Sequence, residues 1–92
     1  MPQGKLKAAA LRYDTSKENA PRVVAKGEGT SAENIIKIAE LHDLPIKKDE
    51  DLIELLSKVE LDKEVPELLY KAVAEVFSFV YKISKEKELK KK

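Results

Sequence analysis

Apolar residues run along this chain in two patterns. The first is short and continuous. Val23, Val24 and Ala25 follow one another without interruption, which predicts a strand over residues 22–26 covered on both faces by helices. Pro21 has no N–H to give a ladder and belongs at the strand's start. Gly27 and Gly29 are read as the turn into the next element, each free to take φ > 0. Leu6, Ala8, Ala9, Ala10, Leu11 and Tyr13 predict an earlier strand over residues 5–13, although the alanines would also suit a helix. Between the two strands, Asp14-Thr15-Ser16-Lys17-Glu18-Asn19 is polar and rich in turn formers. Its length fits a hairpin or a loose antiparallel link.

The second pattern is helical. Thr30-Ser31-Ala32-Glu33 has the spacing of a capping box, and Ile35, Ile36, Ile38, Ala39 and Leu41 give a broad apolar stripe. A helix over residues 32–43 follows, stopped by Pro45. Leu44-Pro45-Ile46-Lys47 reads as a turn and a very short strand, on strand–helix–strand logic. Asp49-Glu50-Asp51 favours the positive end of a second helix, with capping-box spacing again at Asp51 and Glu54. That helix carries Leu52, Ile53, Leu55, Leu56 and Val59, and ends near Val59. After a connector at residues 60–65, Pro66 takes a first helical position. Leu69, Ala72, Val73, Val76, Phe77, Val80 and Ile83 then share one face of a third helix over residues 66–84. Tyr70, Phe79 and Tyr81 widen that face. No internal repeat is visible.

The order strand, strand, helix, strand, helix, helix implies a small α/β fold: a mixed sheet of about three strands with three helices packed on it. The 92 residues make one domain, divided as a flexible N-terminus at 1–5, a folded body at 6–84 and a basic charged tail at 85–92. The tail either extends the last helix through i,i+3 and i,i+4 pairs or frays.

Charge and composition narrow the function classes. The net charge of +1 conceals about +3 over residues 1–12, about −6 over 13–81 and about +4 over 82–92. An acidic body is a poor nucleic-acid footprint, which needs Lys and Arg clustered on a folded face. The chain contains no cysteine, which excludes disulfides and thiolate chemistry and suits a reducing compartment. No apolar run approaches the ~20 residues of a membrane span, and no apolar stretch follows the first residues as in a signal peptide. The expected location is the cytoplasm.

Candidate chemistry is sparse. His42 is the only histidine and sits where a helix C-terminus favours an imidazolium, so it reads as a cap or surface residue. One histidine and no cysteine do not make a zinc site. The carboxylates read as caps and solubilising charge. Lys26-Gly27-Glu28-Gly29-Thr30 is a glycine turn between strand and helix, but it matches neither phosphate-binding glycine motif, and Glu28 would repel an anion. No catalytic, cofactor or metal residues are assigned, and the expectation is a protein that is not an enzyme.

Ala10-Leu11-Arg12-Tyr13, Ala20-Pro21-Arg22-Val23-Val24-Ala25-Lys26-Gly27, Leu44-Pro45-Ile46 and Val65-Pro66-Glu67-Leu68-Leu69-Tyr70-Lys71-Ala72-Val73-Ala74-Glu75-Val76 together resemble the C-terminal cytoplasmic domain of the FlhB/YscU family. The resemblance runs from about Ala8 to Ile83. It implies a component of the flagellar or type III secretion export apparatus, a domain that takes part in recognising export substrates and in switching between cargo classes. Family members carry an Asn-Pro-Thr-His motif at which the chain splits itself before the proline. Counting back from Leu11-Arg12-Tyr13, those positions are held here by Gln3-Gly4-Lys5-Leu6. Gln3 is one methylene too long for the five-membered ring and is followed by neither Pro nor His, so no self-cleavage is expected.

The chain therefore looks like a free-standing version of the family's cleaved C-terminal fragment. The function implied is docking without covalent chemistry, peripheral to the export gate at the inner membrane. The implied partners are a full-length FlhB or its membrane-anchored part, other export-apparatus proteins, or export substrates. The proposed contact residues are Ala20 and Pro21 with Ala74 and Phe77 of the last helix, although the helical spacing of Phe77 equally suits plain core. A strand edge is expected to be open to a partner. The alternative reading is a small nucleic-acid or membrane-surface binder that uses the tail at 85–92.

Overall fold

The computed structural model describes the backbone of residues 5–90 and the side chains of residues 5–83. Strand β1 (Lys7–Arg12) pairs antiparallel with β2 (Arg22–Glu28), and helices α1 (Thr30–Leu41), α2 (Glu50–Leu56) and α3 (Tyr70–Lys90) follow. A single 3-10 turn, Glu67–Leu69, leads into α3.

The register contains one irregularity on which the core depends. Ala10 pairs with Ala25, but Leu11 pairs with Val23, so Val24 is the extra residue of a bulge. Side chains alternate along a strand, and one extra residue resets the alternation. The reset brings Val23 onto the same face as Ala9 and Leu11. There Val23 is fully buried among Leu52, Leu56, Val59, Val65, Leu69 and Val73, a burial that contributes about 2 kcal/mol. Lys7 and Lys26 share this face and reach α2. The Lys7 ammonium meets both Glu54 carboxylate oxygens at 2.9 and 3.0 Å. Lys26 donates to the Ser57 and Val59 carbonyls at 3.1 and 2.6 Å, capping the end of α2.

The opposite face carries α1. A Cβ on Gly27 would lie 2.6 Å from the Ser31 Cβ, so glycine there permits close packing of helix on strand. The φ > 0 expected at Gly27 is found only at Gly29, at +63°. The run Val23–Ala25 is not covered equally on both faces either: Val23 is buried and its two neighbours are half-buried.

The strand count is a correction. The sheet has two strands, and Leu44–Lys47 is not one of them. The free side of β2 is met by the connector before α3 instead. Val23 N–H donates to the Lys63 carbonyl at 3.1 Å, Asp62 N–H to Val23 at 2.7 Å and Val65 N–H to Pro21 at 2.8 Å, with a bridge between Arg22 and Glu64. The mixed α/β class holds, and its helices number three among the described residues.

Helix ends also differ from expectation. Gly29 is the N-cap of α1, with no side-chain cap bond, so Thr30 lies inside the helix and the expected box is not formed. The same helix ends at Leu41 in a closed C-terminal turn. Asp43 N–H donates to Glu40, and Leu44 N–H to Ala39, with Asp43 at φ +57°; this bond pattern satisfies the last carbonyls before Pro45 is reached. In α2 the cap is Asp49, whose carboxylate accepts from Leu52 N–H at 2.9 Å, rather than Asp51. Its last helical residue is Leu56, with turns to Val59. Pro66 is extended at ψ 149° and precedes the 3-10 turn instead of starting the helix. In α1 only Ala32 is buried, while Ile38 and Leu41 stay exposed.

The expected flexible N-terminus lies, apart from Lys5, outside the described residues, as do Gln3 and Gly4 of the position compared with the cleavage motif. The backbone of α3 continues through the start of the tail to Lys90.

A cleft between the strand connection and the last helix

Glu18 orders the polar connection between β1 and β2. Its side chain keeps only 5% of its exposure. One carboxylate oxygen accepts from Arg12 Nη2 and from Arg22 Nε, both at 2.8 Å, and the other accepts from the Asp14 N–H at 2.9 Å. Arg12 ends β1 and Arg22 begins β2, so one carboxylate ties both strands to the turn between them. The Arg12 guanidinium, then the Asp14 N–H, and further Arg22, hold the Glu18 carboxyl down at about 2 against the opposing effect of desolvation. Asp14 closes the turn itself, accepting from Ser16 N–H at 3.0 Å and Ser16 Oγ at 2.6 Å. Arg22 also donates to the Asp62 carbonyl.

This framework fixes Asn19-Ala20-Pro21. Ala20 is buried, and the Pro21 carbonyl is held by Val65 N–H. Facing them is one stripe of α3. Tyr70, Val73, Ala74, Phe77, Ser78, Tyr81 and Lys82 recur at three- and four-residue steps and so share a helix face. Between the two walls lies a cleft of about 600 Å³. Tyr13, just past β1, lays its ring against Phe77 with centroids 6.1 Å apart and planes tilted by 56°, an attractive aromatic geometry.

All four residues proposed from the sequence line this cleft: Ala20 and Pro21 on one wall, Ala74 and Phe77 on the other. Ala74 is exposed, and Phe77 is half-buried and packs against the core as well as facing the cleft. Sequence reasoning missed the aromatic character of the rest. All three tyrosines of the chain, Tyr13, Tyr70 and Tyr81, line the cleft. The step of four, three and four residues through Tyr70, Ala74, Phe77 and Tyr81 was the available signal. It was absorbed into the helix's core face, which is centred one position away on Val73.

Among the described residues the lining holds no carboxylate, and Lys82 is its only formally charged residue. His42 caps the C-terminus of α1 and is not part of the lining. Among the described residues there is no cluster of three or more His, Cys, Asp or Glu that could hold a metal ion. What the arrangement provides is an apolar, aromatic surface with few polar groups. Among the described residues no helix is long and apolar enough to cross a membrane. A second groove, lined by Leu55, Leu68, Leu69, Lys71, Ala72 and Glu75, lies against another side of α3 and has no aromatic residue.

The profile of the FlhB HrpN YscU SpaS family matches residues 7–80. The YlqH protein of Bacillus subtilis is 48% identical over 85 residues, covering 92% of this chain and 91% of its own length. The flagellar biosynthetic protein FlhB of Aquifex aeolicus is 45% identical over 74 residues, covering 79% of this chain. The chain spans only 21% of that FlhB. Among solved structures, the cytoplasmic domain of FlhB from Shewanella putrefaciens superposes with a TM-score of 0.85 at 30% identity, over 89% of this chain and 64% of that one. A mutated EscU/SpaS C-terminal domain superposes at 0.79 with 27% identity, over 83% of this chain and 95% of that one.

Proposed function

Since the chain belongs to the FlhB HrpN YscU SpaS family of export-apparatus proteins, we propose that it is a non-enzymatic docking domain of a flagellar or type III export apparatus, and that the cleft between Ala20-Pro21 and α3 is where it docks. In this reading the occupant is a segment of an export substrate or of an apparatus protein, a full-length FlhB or its membrane-anchored part included. The domain then works in the cytoplasm, peripherally at the export gate.

One observation carries the proposal. A single apolar cleft gathers Ala20, Pro21, Ala74 and Phe77 from two distant parts of the chain and surrounds them with aromatic rings. A side chain seated there is recognised by apolar burial at roughly 25 cal/mol per Å², with no covalent step. Gln3, outside the described residues, and Gly4 after it supply neither the Asn nor the Pro of the family's cleavage motif, which accords with docking alone. The alternative of a nucleic-acid or membrane-surface binder rests on the lysines of the tail, and neither the fold nor the family adds support to it.

The test is affinity capture from cells assembling the export apparatus, using the whole chain and an Ala74→Glu variant. The reading expects the whole chain to recover FlhB or rod/hook-type cargo and the variant to lose it. Recovery of neither by the whole chain counts against it. A genetic counterpart is that loss of the gene alters motility only where FlhB is already impaired.

A further inference from the structure

The cleft has two unlike ends. Toward one lies Tyr70; toward the other lies Lys82, the only formal charge on its surface among the described residues. On the strand connection the two acids are already engaged: Asp14 with Ser16, and Glu18 with Arg12 and Arg22. Glu75, on α3, faces the other groove. Among the described residues, no carboxylate shares the cleft lining with Lys82. The charge pattern reinforces this end. Residues 13–81 sum to about −6, and from Lys82 onward the sequence sums to about +4. The backbone of α3 continues as helix to Lys90.

Building on the docking reading above, we propose that the cleft selects an apolar polypeptide segment bearing an acidic residue, whose carboxylate meets Lys82 and fixes which way round the segment lies. Apolar contact alone is non-directional. A greasy segment could lie either way along the Tyr70–Tyr81 stripe with similar contact. One charge pair at one end breaks that symmetry, and a flanking lysine on the ligand would be repelled at the same place. Electrostatic complementarity of this kind adds more to orientation and partner choice than to total affinity.

The experiment uses three synthetic peptides with one apolar core of Leu and Val, capped at both termini and flanked on both sides by Glu, Gln or Lys. Binding to the whole chain is measured by fluorescence anisotropy at low salt. The expected order is Glu tightest and Lys weakest, with about three- to fivefold between Glu and Gln, the scale of an exposed charge pair. Lys82→Gln removes the difference between the Glu and Gln peptides, and Lys82→Glu inverts the order. Raising the salt to about 0.5 M collapses it, because exposed pairs are screened. Ala74→Glu weakens all three peptides, which places them in the cleft.

The outcomes separate the two readings. If the Gln peptide binds and the Glu peptide binds no better, or if the preference survives Lys82→Gln, the role of Lys82 is wrong while the docking cleft stands. If no peptide binds the wild-type chain, the docking reading itself falls. If the chain forms a concentration-dependent dimer that Ala74→Glu dissolves, the cleft belongs to a second copy, and the acidic-segment proposal is overturned.

Discussion

Glu18 joins the end of β1 to the start of β2 by accepting from Arg12 and Arg22, and the segment it steadies forms one wall of the cleft. Its carboxyl titrates at about 2 in the fold against an ordinary 4.5. A depressed carboxyl stabilises the fold above its unfolded value and loses that contribution as the pH falls toward its folded value. The window is therefore from about pH 4.5 down to about pH 2. Glu18→Gln is expected to lower Tm near neutral pH and to flatten the fall of Tm through that window. A variant whose Tm declines there as steeply as the wild type contradicts the assignment. Gly27 acts by size. With Ser31 Cβ at 2.6 Å from the position a Cβ would take, Gly27→Ala forces β2 and α1 apart and should cost about 1–3 kcal/mol in urea unfolding. Equal stability would mean that the strand and helix are not held together at this point.

At the scale of elements, α2 is a seven-residue helix fastened at both ends by side chains. Asp49 caps its start, and Lys26 from β2 closes its end. Asp49→Ala should cost about 1 kcal/mol. Lys26→Met keeps the aliphatic stem but loses the charge-assisted bonds, and should cost about 1–2 kcal/mol with faster amide exchange confined to the α2 end. Unchanged exchange there would count against the cap. In the turn that ends α1, Asp43→Gly should stabilise by up to about 1 kcal/mol, since glycine meets no Cβ penalty at φ +57°.

These particulars show how far the sequence could be read. The valine run, the apolar spacing of α3 and the turn formers at 14–19 are local signals, and each marks a real element. The connector that covers the free side of β2 was not legible. Residues 62–65 pair with residues 21–23 through backbone bonds about forty positions apart in the chain, and no side-chain pattern encodes that. The apolar stripe of α1 misled in another way, because it is broader than the face that packs. At 3.6 residues per turn Leu41 stands opposite the buried Ala32 and Ile38 well round from it, and both are exposed. Glu18 was hidden in a polar stretch, where composition does not distinguish a paired carboxylate from a solvated one.

At the scale of the molecule, the two sheet faces divide the work. One face is closed by α1 through Gly27; the other builds the core with α2 and α3 and leaves the rim of α3 uncovered beside Pro21. The bulge at Val24 belongs to this scale, because it turns Val23 into the core that α3 packs upon. The cleft is thus the seam between a rigid strand connection and a long helix, a place where a polypeptide can be held without disturbing the fold. The family resemblance traced on Ala20-Pro21-Arg22-Val23 and on the first turns of α3 runs through both walls of that seam.

The most direct test is site-specific photo-crosslinking in cells that assemble the export apparatus. A photoreactive residue is placed at Ala74, in the cleft, and in a separate chain at Leu68, which is 87% exposed and lines the other groove. Crosslinks to an exported protein or an apparatus component are expected from position 74, lost when Phe77→Asp is added, and none from position 68. Crosslinks from position 68 alone, or from neither position, would contradict docking in the cleft.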